Sequence, residues 1–136
     1  MKPTEQEQFS VKSRLRSFVY AAKGIMHVLK KERNIWLQLF IAALAVTGGF
    51  LLKISSTEWI VIILCIGIVL SFEIMNTAIE NMVDFISPGY NKKAGIIKDI
   101  AAGAVLITAT MSLIIGIIIF APKIKQLIMD SGQLTI

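Results

Sequence analysis

The chain has 136 residues, of which 55% are hydrophobic and 17% are charged, and its net charge is +5. Average soluble domains are about 45–50% apolar and about 25% charged, so the composition argues against an ordinary soluble protein and favours a membrane protein. The length predicts one domain over residues 1–136. Cys65 is the only cysteine, which excludes an intrachain disulfide.

The first predicted element is an amphipathic helix over about residues 9–31. Its apolar residues follow the i, i+3, i+4, i+7 spacing of one helix face, at Val11, Leu15, Phe18, Val19, Ala22, Ile25, Met26 and Leu29. Lysines and arginines lie between them, which is typical of a helix in the plane of the membrane interface. The pattern leaves two interpretations open: a simple anchor, or a surface helix that also covers an active site.

Three apolar stretches then predict membrane-spanning helices over about residues 35–53, 58–84 and 99–121. A spanning helix needs roughly 20 mostly apolar residues. The second stretch reaches this length only if Glu73 lies inside the membrane or close to its edge. We expect Thr57 to cap the second span and Asp99 to cap the third, since hydroxyl and carboxylate groups suit helix N-termini. The predicted fold class is therefore an all-α integral membrane protein.

The distribution of basic residues predicts the orientation of the spans. Loops that remain in the cytoplasm carry an excess of lysine and arginine. Eight basic residues precede the first span and three lie between the second and third, whereas the first loop offers only Lys53. We expect the N-terminus and second loop in the cytoplasm, and the first loop and C-terminus outside. A basic patch can also indicate nucleic-acid binding, but the interleaved apolar residues and adjacent spans argue against such a partner.

A polar stripe runs along the last part of the second span. Glu73, Asn76, Glu80 and Asp84 are three, four and four residues apart, and at about 100° per residue they fall within an arc of roughly 80°. A charge at the bilayer centre costs about 2.5–3.5 kcal/mol on insertion scales, so a carboxylate at that depth indicates function. Solvated charges at a helix end would explain Asp84 equally well, but they explain Glu73 poorly.

Clustered carboxylates at a membrane boundary suit phosphoryl transfer. Mg²⁺ binds one or two carboxylates together with substrate phosphates and water, and the reaction also needs a cation on the phosphates and a carboxylate that accepts the hydroxyl proton. Glu73 could meet a lipid hydroxyl, while Glu32 and Glu80 could hold the metal ion and Lys98 the phosphates. The chain has neither a P-loop nor the motifs of protein kinases, so a soluble kinase type is excluded.

The stripe and the start of the third span together resemble the signature of the prokaryotic diacylglycerol kinase family. Their residues are most similar to those of its undecaprenol kinase branch. The resemblance covers about residues 13–121 and rests on Glu73-x-x-Asn76-Thr77-Ala78-Ile79-Glu80-x-x-x-Asp84 and on Lys98-Asp99-x-Ala101-Ala102-Gly103-Ala104-Val105-Leu106. It implies a homotrimer in the bacterial inner membrane, with three spans and an amphipathic surface helix per subunit and with active sites shared between subunits. It also implies a kinase that uses ATP and Mg²⁺ to phosphorylate a lipid alcohol.

The resemblance further implies roles for individual residues. Glu73 aligns with the general base and Asn76 with the asparagine beside it, while Glu32 and Glu80 align with the metal ligands. The implied nucleotide-binding residues are Arg16, Lys23, Glu32, Glu80, Asp84, Lys98 and Asp99. One position departs from the pattern: the undecaprenol branch often has Asn-x-x-x-His after the first metal-binding glutamate, and here Asn34 is followed by Gln38. The lipid alcohol, undecaprenol or diacylglycerol, is therefore left open.

Two other functions compete with the kinase. A small oligomeric transporter could use Glu73 as a proton or cation site, and a non-catalytic membrane assembly protein could use the polar stripe as an oligomer contact. Lys98 and Asp99, together with the acids, suit ATP better than a proton relay.

Overall fold

The computed structural model describes residues 11–133 of the chain, with side chains described for 13–131. Throughout that range the regular secondary structure is helical, in four α-helices: α1 (Val11–Lys31), α2 (Asn34–Leu51), α3 (Ser56–Ile86) and α4 (Lys92–Gln133). The all-α prediction is confirmed for this part of the chain. Phe9 and Ser10, at the start of the predicted surface helix, lie outside the described residues.

Three of the four helices, α2, α3 and α4, are long and apolar enough to cross a membrane, as predicted. Many of their large apolar side chains face outward from the single chain, among them Phe40, Leu44, Ile63, Leu106 and Ile118. Such surfaces suit lipid or neighbouring subunits rather than water. Helix α1 forms where a surface helix was expected, and its position on the membrane remains a prediction.

The start of α3 differs from expectation by two residues. Thr57 was predicted as the N-cap, but that prediction is wrong, since the N-cap is Ser55. The backbone N–H of Glu58 donates to the Ser55 hydroxyl at 3.3 Å, and the Glu58 carboxylate accepts from the Ser55 backbone N–H at 2.6 Å. This reciprocal capping box satisfies two backbone donors, whereas a cap at Thr57 could not recruit Glu58 in the same way.

Helix α4 begins earlier and ends later than the predicted third span. The side chain of Asn91 accepts hydrogen bonds from the backbone N–H groups of Lys93 at 2.9 Å and Ala94 at 3.4 Å. Asp99 therefore lies inside the helix, and its predicted role as the N-cap is wrong. At its other end α4 continues through Pro122 to Gln133, for 42 residues in all.

The helices enclose a buried apolar cluster at the end of the bundle where α2 ends and α3 begins. Helix α4 packs mainly along α3, and α2 contacts α3 more than α4. Ile54, Ile62 and Ile119 form a buried cluster at this end. Gly49 lies against it, and a Cβ atom on Gly49 would be only 2.8 Å from Cη2 of Trp59. Glycine is required here because helix α2 approaches the Trp59 ring so closely.

Candidate active site

Glu73 is a buried carboxylate on a largely apolar helix. The Glu73 residue is 3% exposed to solvent. Among the described residues, only Glu73 and Thr77 are buried residues with polar side chains. The amide nitrogen Nε2 of Gln38, on α2, donates to Glu73 Oε2 at 2.9 Å. The Thr77 hydroxyl donates to the Glu73 backbone carbonyl at 3.1 Å, which satisfies that hydroxyl inside the helix. The carboxylate is thus held between two helices rather than lying in open solvent.

Asn76 and Glu80 form the next contact along the same face of α3. The amide nitrogen Nδ2 of Asn76 donates to Glu80 Oε1 at 3.1 Å, a contact that the four-residue spacing of a helix permits. Both side chains are half-buried. The bond fixes the direction of the Glu80 carboxylate, one turn beyond Asn76 and two turns beyond Glu73.

The stripe ends in an ion pair between α3 and α4. Lys98 Nζ lies 3.0 Å from Asp84 Oδ1 and 3.3 Å from Asp84 Oδ2. The Asp84 side chain is 62% exposed and that of Lys98 is 35% exposed, so water screens the pair. Asp99, the next residue on α4, is exposed. The structure therefore brings together Asp84 and Lys98, two residues for which the sequence predicted nucleotide contacts.

The remaining predicted residues lie at or near α1. Arg16 and Lys23 are exposed on that helix, and Glu32 is half-buried in the two-residue break before α2. Within residues 13–131, no hydrogen bond or ion pair joins any of these three to Glu73, Asn76, Glu80, Asp84, Lys98 or Asp99. One chain by itself thus assembles the α3–α4 part of the predicted site but joins Arg16, Lys23 and Glu32 to it by no hydrogen bond or ion pair within residues 13–131.

Two contacts that the sequence did not predict hold the end of α1 near this site. The Lys31 ammonium donates to Asn81 Oδ1 on α3, and the Trp36 indole N–H donates to the Leu29 carbonyl at 2.9 Å. Lys31 and Asn81 are neighbours in sequence of Glu32 and Glu80, the two predicted metal ligands. The contact spans fifty residues of sequence, and no local pattern could have indicated it.

An apolar cavity of about 730 Å³ lies between α2, α3 and α4. Gln38 lines it on α2, Val69 and Leu70 on α3, and Leu113 and Phe120 on α4. Gln38 also bonds to Glu73, so one residue of the cavity wall contacts the buried carboxylate. Its volume is within the range of about 300–1,000 Å³ that is usual for small-molecule sites.

The donor chemistry fits a hard cation. Among the described residues no group of three or more His, Cys, Asp or Glu side chains is arranged to hold a metal ion. Mg²⁺ is usually bound by one or two carboxylates, with the remaining ligands supplied by phosphates and water. Glu80, oriented by Asn76, and the half-buried Glu32 are carboxylates of the type that Mg²⁺ prefers.

Comparison with known proteins decides the family. A profile of the prokaryotic diacylglycerol kinase family matches residues 19–120. The chain belongs to this family. The match covers α2 and α3 completely, most of α1, and the part of α4 that carries Lys98 and Asp99, so all the predicted site residues except Arg16 lie within it. The assignment makes the chain a lipid kinase and confirms the prediction from the sequence.

Individual relatives agree with the family assignment. The chain is 43% identical over 109 residues to an undecaprenol kinase from Bacillus subtilis, covering 80% of this chain and 89% of the relative. It is 33% identical over 112 residues to a diacylglycerol kinase from Synechocystis, covering 82% of this chain and 64% of that relative. A diacylglycerol kinase from Haemophilus influenzae is 27% identical over 104 residues, which cover 76% of this chain and 86% of the relative. Within the family, the chain groups with the undecaprenol kinase branch.

Proposed function

We propose that the protein transfers the γ-phosphate of ATP, with Mg²⁺, to the hydroxyl of a membrane lipid alcohol, either undecaprenol or diacylglycerol. The observation that carries the proposal is the position of Glu73. The Glu73 residue is 3% exposed, its carboxylate accepts a hydrogen bond from the Gln38 amide at 2.9 Å, and Gln38 lines an apolar cavity. A base in this position is reached by a hydroxyl on an apolar chain more easily than by a soluble alcohol.

In the proposed reaction Glu73 is the general base. The substrate hydroxyl donates its proton to the Glu73 carboxylate, and the resulting oxygen attacks the γ-phosphorus. The bond from that phosphorus to the β–γ bridging oxygen breaks, so the products are a phosphorylated lipid and ADP. Asn76, one helical turn from Glu73 on the same face, orients Glu80 through its 3.1 Å hydrogen bond.

The residues for the metal ion and the nucleotide surround this base. Glu32 and Glu80 would hold Mg²⁺, which supplies positive charge against the phosphates of ATP. Lys98 would bind phosphate as a flexible point charge, with Asp84, Asp99, Arg16 and Lys23 as further nucleotide contacts. The ion pair of Lys98 with Asp84 places the lysine beside the stripe.

We further propose a homotrimer with active sites shared between subunits. Arg16, Lys23 and Glu32 of one chain make no hydrogen bond or ion pair with the predicted site residues on its own α3 and α4. Outward-facing apolar side chains extend along α2, α3 and α4. A neighbouring subunit would cover part of this apolar surface and complete the site. The charge pattern supports placement in the bacterial inner membrane, with the N-terminus and the site in the cytoplasm and the C-terminus outside.

A transporter that uses Glu73 as a proton or cation site is the second candidate, because a buried carboxylate on a spanning helix can serve that role. The Lys98–Asp84 pair favours the kinase, since a proton relay has no need of a phosphate-binding cation. The two proposals differ in one outcome: the kinase converts one ATP to ADP for each lipid that it phosphorylates, whereas the transporter phosphorylates no lipid.

The test is transfer of radiolabelled phosphate from ATP in mixed micelles, with undecaprenol and diacylglycerol assayed in parallel. We expect label in at least one lipid, with a dependence on Mg²⁺ and no label with Glu73→Gln. The faster substrate identifies the lipid alcohol. If a folded, trimeric preparation labels neither of these lipids nor a panel of other lipid alcohols, the kinase reaction proposed for Glu73 is wrong.

A further inference from the structure

The hydrogen bond between Gln38 and Glu73 joins α2 to the base on α3. Gln38 is half-buried, and its Nε2 lies 2.9 Å from Glu73 Oε2. The opposite orientation of the amide would place its carbonyl oxygen against a carboxylate oxygen, so the nitrogen must face Glu73. Hydrogen bonds to a charged acceptor are stronger than those between neutral groups. The amide therefore restrains the carboxylate to one direction.

The other half of the same amide is unsatisfied. The Oε1 atom of Gln38 is buried without a hydrogen-bond partner among the described residues, and so is the Oδ1 atom of Asn76. Buried polar atoms are nearly always paired in folded proteins, so an unpaired one calls for an explanation such as a catalytic role. Both amides donate to a carboxylate of the stripe and leave their carbonyl oxygens unpaired. This arrangement is costly for a structure whose sole purpose is packing.

Gln38 also belongs to the wall of the apolar cavity between α2, α3 and α4. It is thus in contact with both the base and the space that adjoins it. A side chain in this position determines which way the Glu73 carboxylate faces relative to the cavity. A methionine at position 38 would fill similar volume and leave the carboxylate without its restraint.

We propose that Gln38 is a positioning residue for the phosphoryl-transfer reaction. Its Nε2 holds Glu73 Oε2, which leaves Glu73 Oε1 to accept the proton of the lipid hydroxyl. The inference rests on the proposed function and deepens it by assigning a role to the residue that departs from the pattern of the undecaprenol branch. Glutamine and histidine share an N–H donor, so either side chain can hold the carboxylate.

The test compares Gln38→Met, Gln38→His and Gln126→Met with the unmodified protein in the phosphate-transfer assay. Gln126 is an exposed glutamine on α4, beyond the segment matched by the family, and serves as the control. A general base typically increases the reaction rate by about 10²–10⁴-fold. A base that is no longer aligned with the hydroxyl loses part of this increase. We expect Gln38→Met to lower kcat by about 10- to 100-fold with KM for ATP unchanged. Gln38→His should restore kcat to within about fivefold, and Gln126→Met should leave it unchanged.

Several results would overturn the inference. Normal kcat in Gln38→Met, alongside an inactive Glu73→Gln, overturns the role of Gln38 and leaves the proposed function intact. A loss that Gln38→His does not restore, with KM for both substrates raised and the melting temperature lowered, shows a purely structural residue. If Gln38→Met does not fold, Gln38→Asn replaces it, since the shorter amide withdraws the donor; full kcat in that variant also overturns the inference. Failure of the unmodified protein to label any lipid overturns both proposals.

Discussion

Lys98 of α4 and Asp84 of α3 are joined by an ion pair, with Nζ 3.0 Å from Oδ1, fourteen residues apart in sequence. Across the same two helices, Lys123 pairs with Glu58 at 3.1 Å. Within the described residues, two lysine–carboxylate pairs of the same type therefore join the same two helices. One lies in the predicted nucleotide site and the other near the first turn of α3, so each serves as a control for the other.

The first prediction concerns the lysine of the nucleotide site. We expect Lys98→Gln to raise KM for ATP by about tenfold, because a charged contact to phosphate is lost. The free energy of unfolding of this variant should change by no more than about 1 kcal/mol, which is the upper end of the usual contribution of an exposed ion pair. Steady-state kinetics at varied ATP measures the effect. Lys123→Gln removes the corresponding charge from the other pair and should leave KM unchanged; equal effects of both variants would remove Lys98 from the nucleotide site.

The second prediction separates chemistry from binding at Glu73. We expect Glu73→Gln to lower kcat by about 10²–10⁴-fold, since the amide cannot accept the hydroxyl proton. Binding of an ATP analogue, measured by calorimetry in detergent micelles, should persist. The matched control is Glu58→Gln on the same helix, because glutamine at that position still completes the capping box. Retained turnover in Glu73→Gln would assign the proton transfer to another group.

The third prediction concerns the metal ion. We expect Glu80→Gln to raise the Mg²⁺ concentration needed for half-maximal activity by about tenfold, because one carboxylate ligand is lost. Even the loss of a group that only orients a metal ligand typically costs about 10–100-fold in metal affinity or activity. Titration of activity against Mg²⁺ at fixed ATP gives the value. An unchanged titration curve, with Glu58→Gln as reference, would exclude Glu80 from the metal ligands.

The fourth prediction tests the packing of α2 against α3. A Cβ atom at Gly49 would lie 2.8 Å from Cη2 of Trp59, whereas nothing lies within 4 Å of a Cβ at Gly67. Alanine normally stabilises a helix interior by roughly 0.5–1 kcal/mol over glycine. We expect that gain for Gly67→Ala and a net loss of about 1–3 kcal/mol for Gly49→Ala, the usual cost of overpacking. Thermal unfolding in detergent compares them, and equal melting temperatures would contradict the close contact.

The sequence was sufficient to predict which helices form and where the acids lie. Long apolar runs indicate spans by length alone, and the spacing of Glu73, Asn76, Glu80 and Asp84 fixes their common face once α3 is helical. The true cap of α3 was also readable, because Ser55 stands three residues before Glu58 in the capping-box pattern. The start of α4 was missed because the charges from Lys92 to Asp99 were taken for a loop, although the helix extends through them.

Contacts between helices could not be predicted from a single sequence. The Gln38–Glu73, Lys31–Asn81 and Asp84–Lys98 hydrogen bonds each join different helices. Local periodicity places a residue on a face of its own helix, but the partner on another helix depends on how the helices cross. The unpaired carbonyl oxygen of Gln38 follows from such a contact, so it could not be predicted from the sequence either.

The close approach of Gly49 to Trp59 limits the spacing of α2 and α3, the two helices that the Gln38–Glu73 hydrogen bond also joins. Glu73 lies fourteen residues from Trp59, or about 21 Å along the helix at 1.5 Å per residue. Where glycine meets the indole ring there is no space for the helices to move closer together, and near Glu73 two buried amide oxygens lack partners among the described residues. A shift of α2 against α3 at Gly49 would therefore change the geometry of the Gln38–Glu73 hydrogen bond. A methyl group added at Gly49 would thus alter how the Glu73 carboxylate is held without touching either reactant.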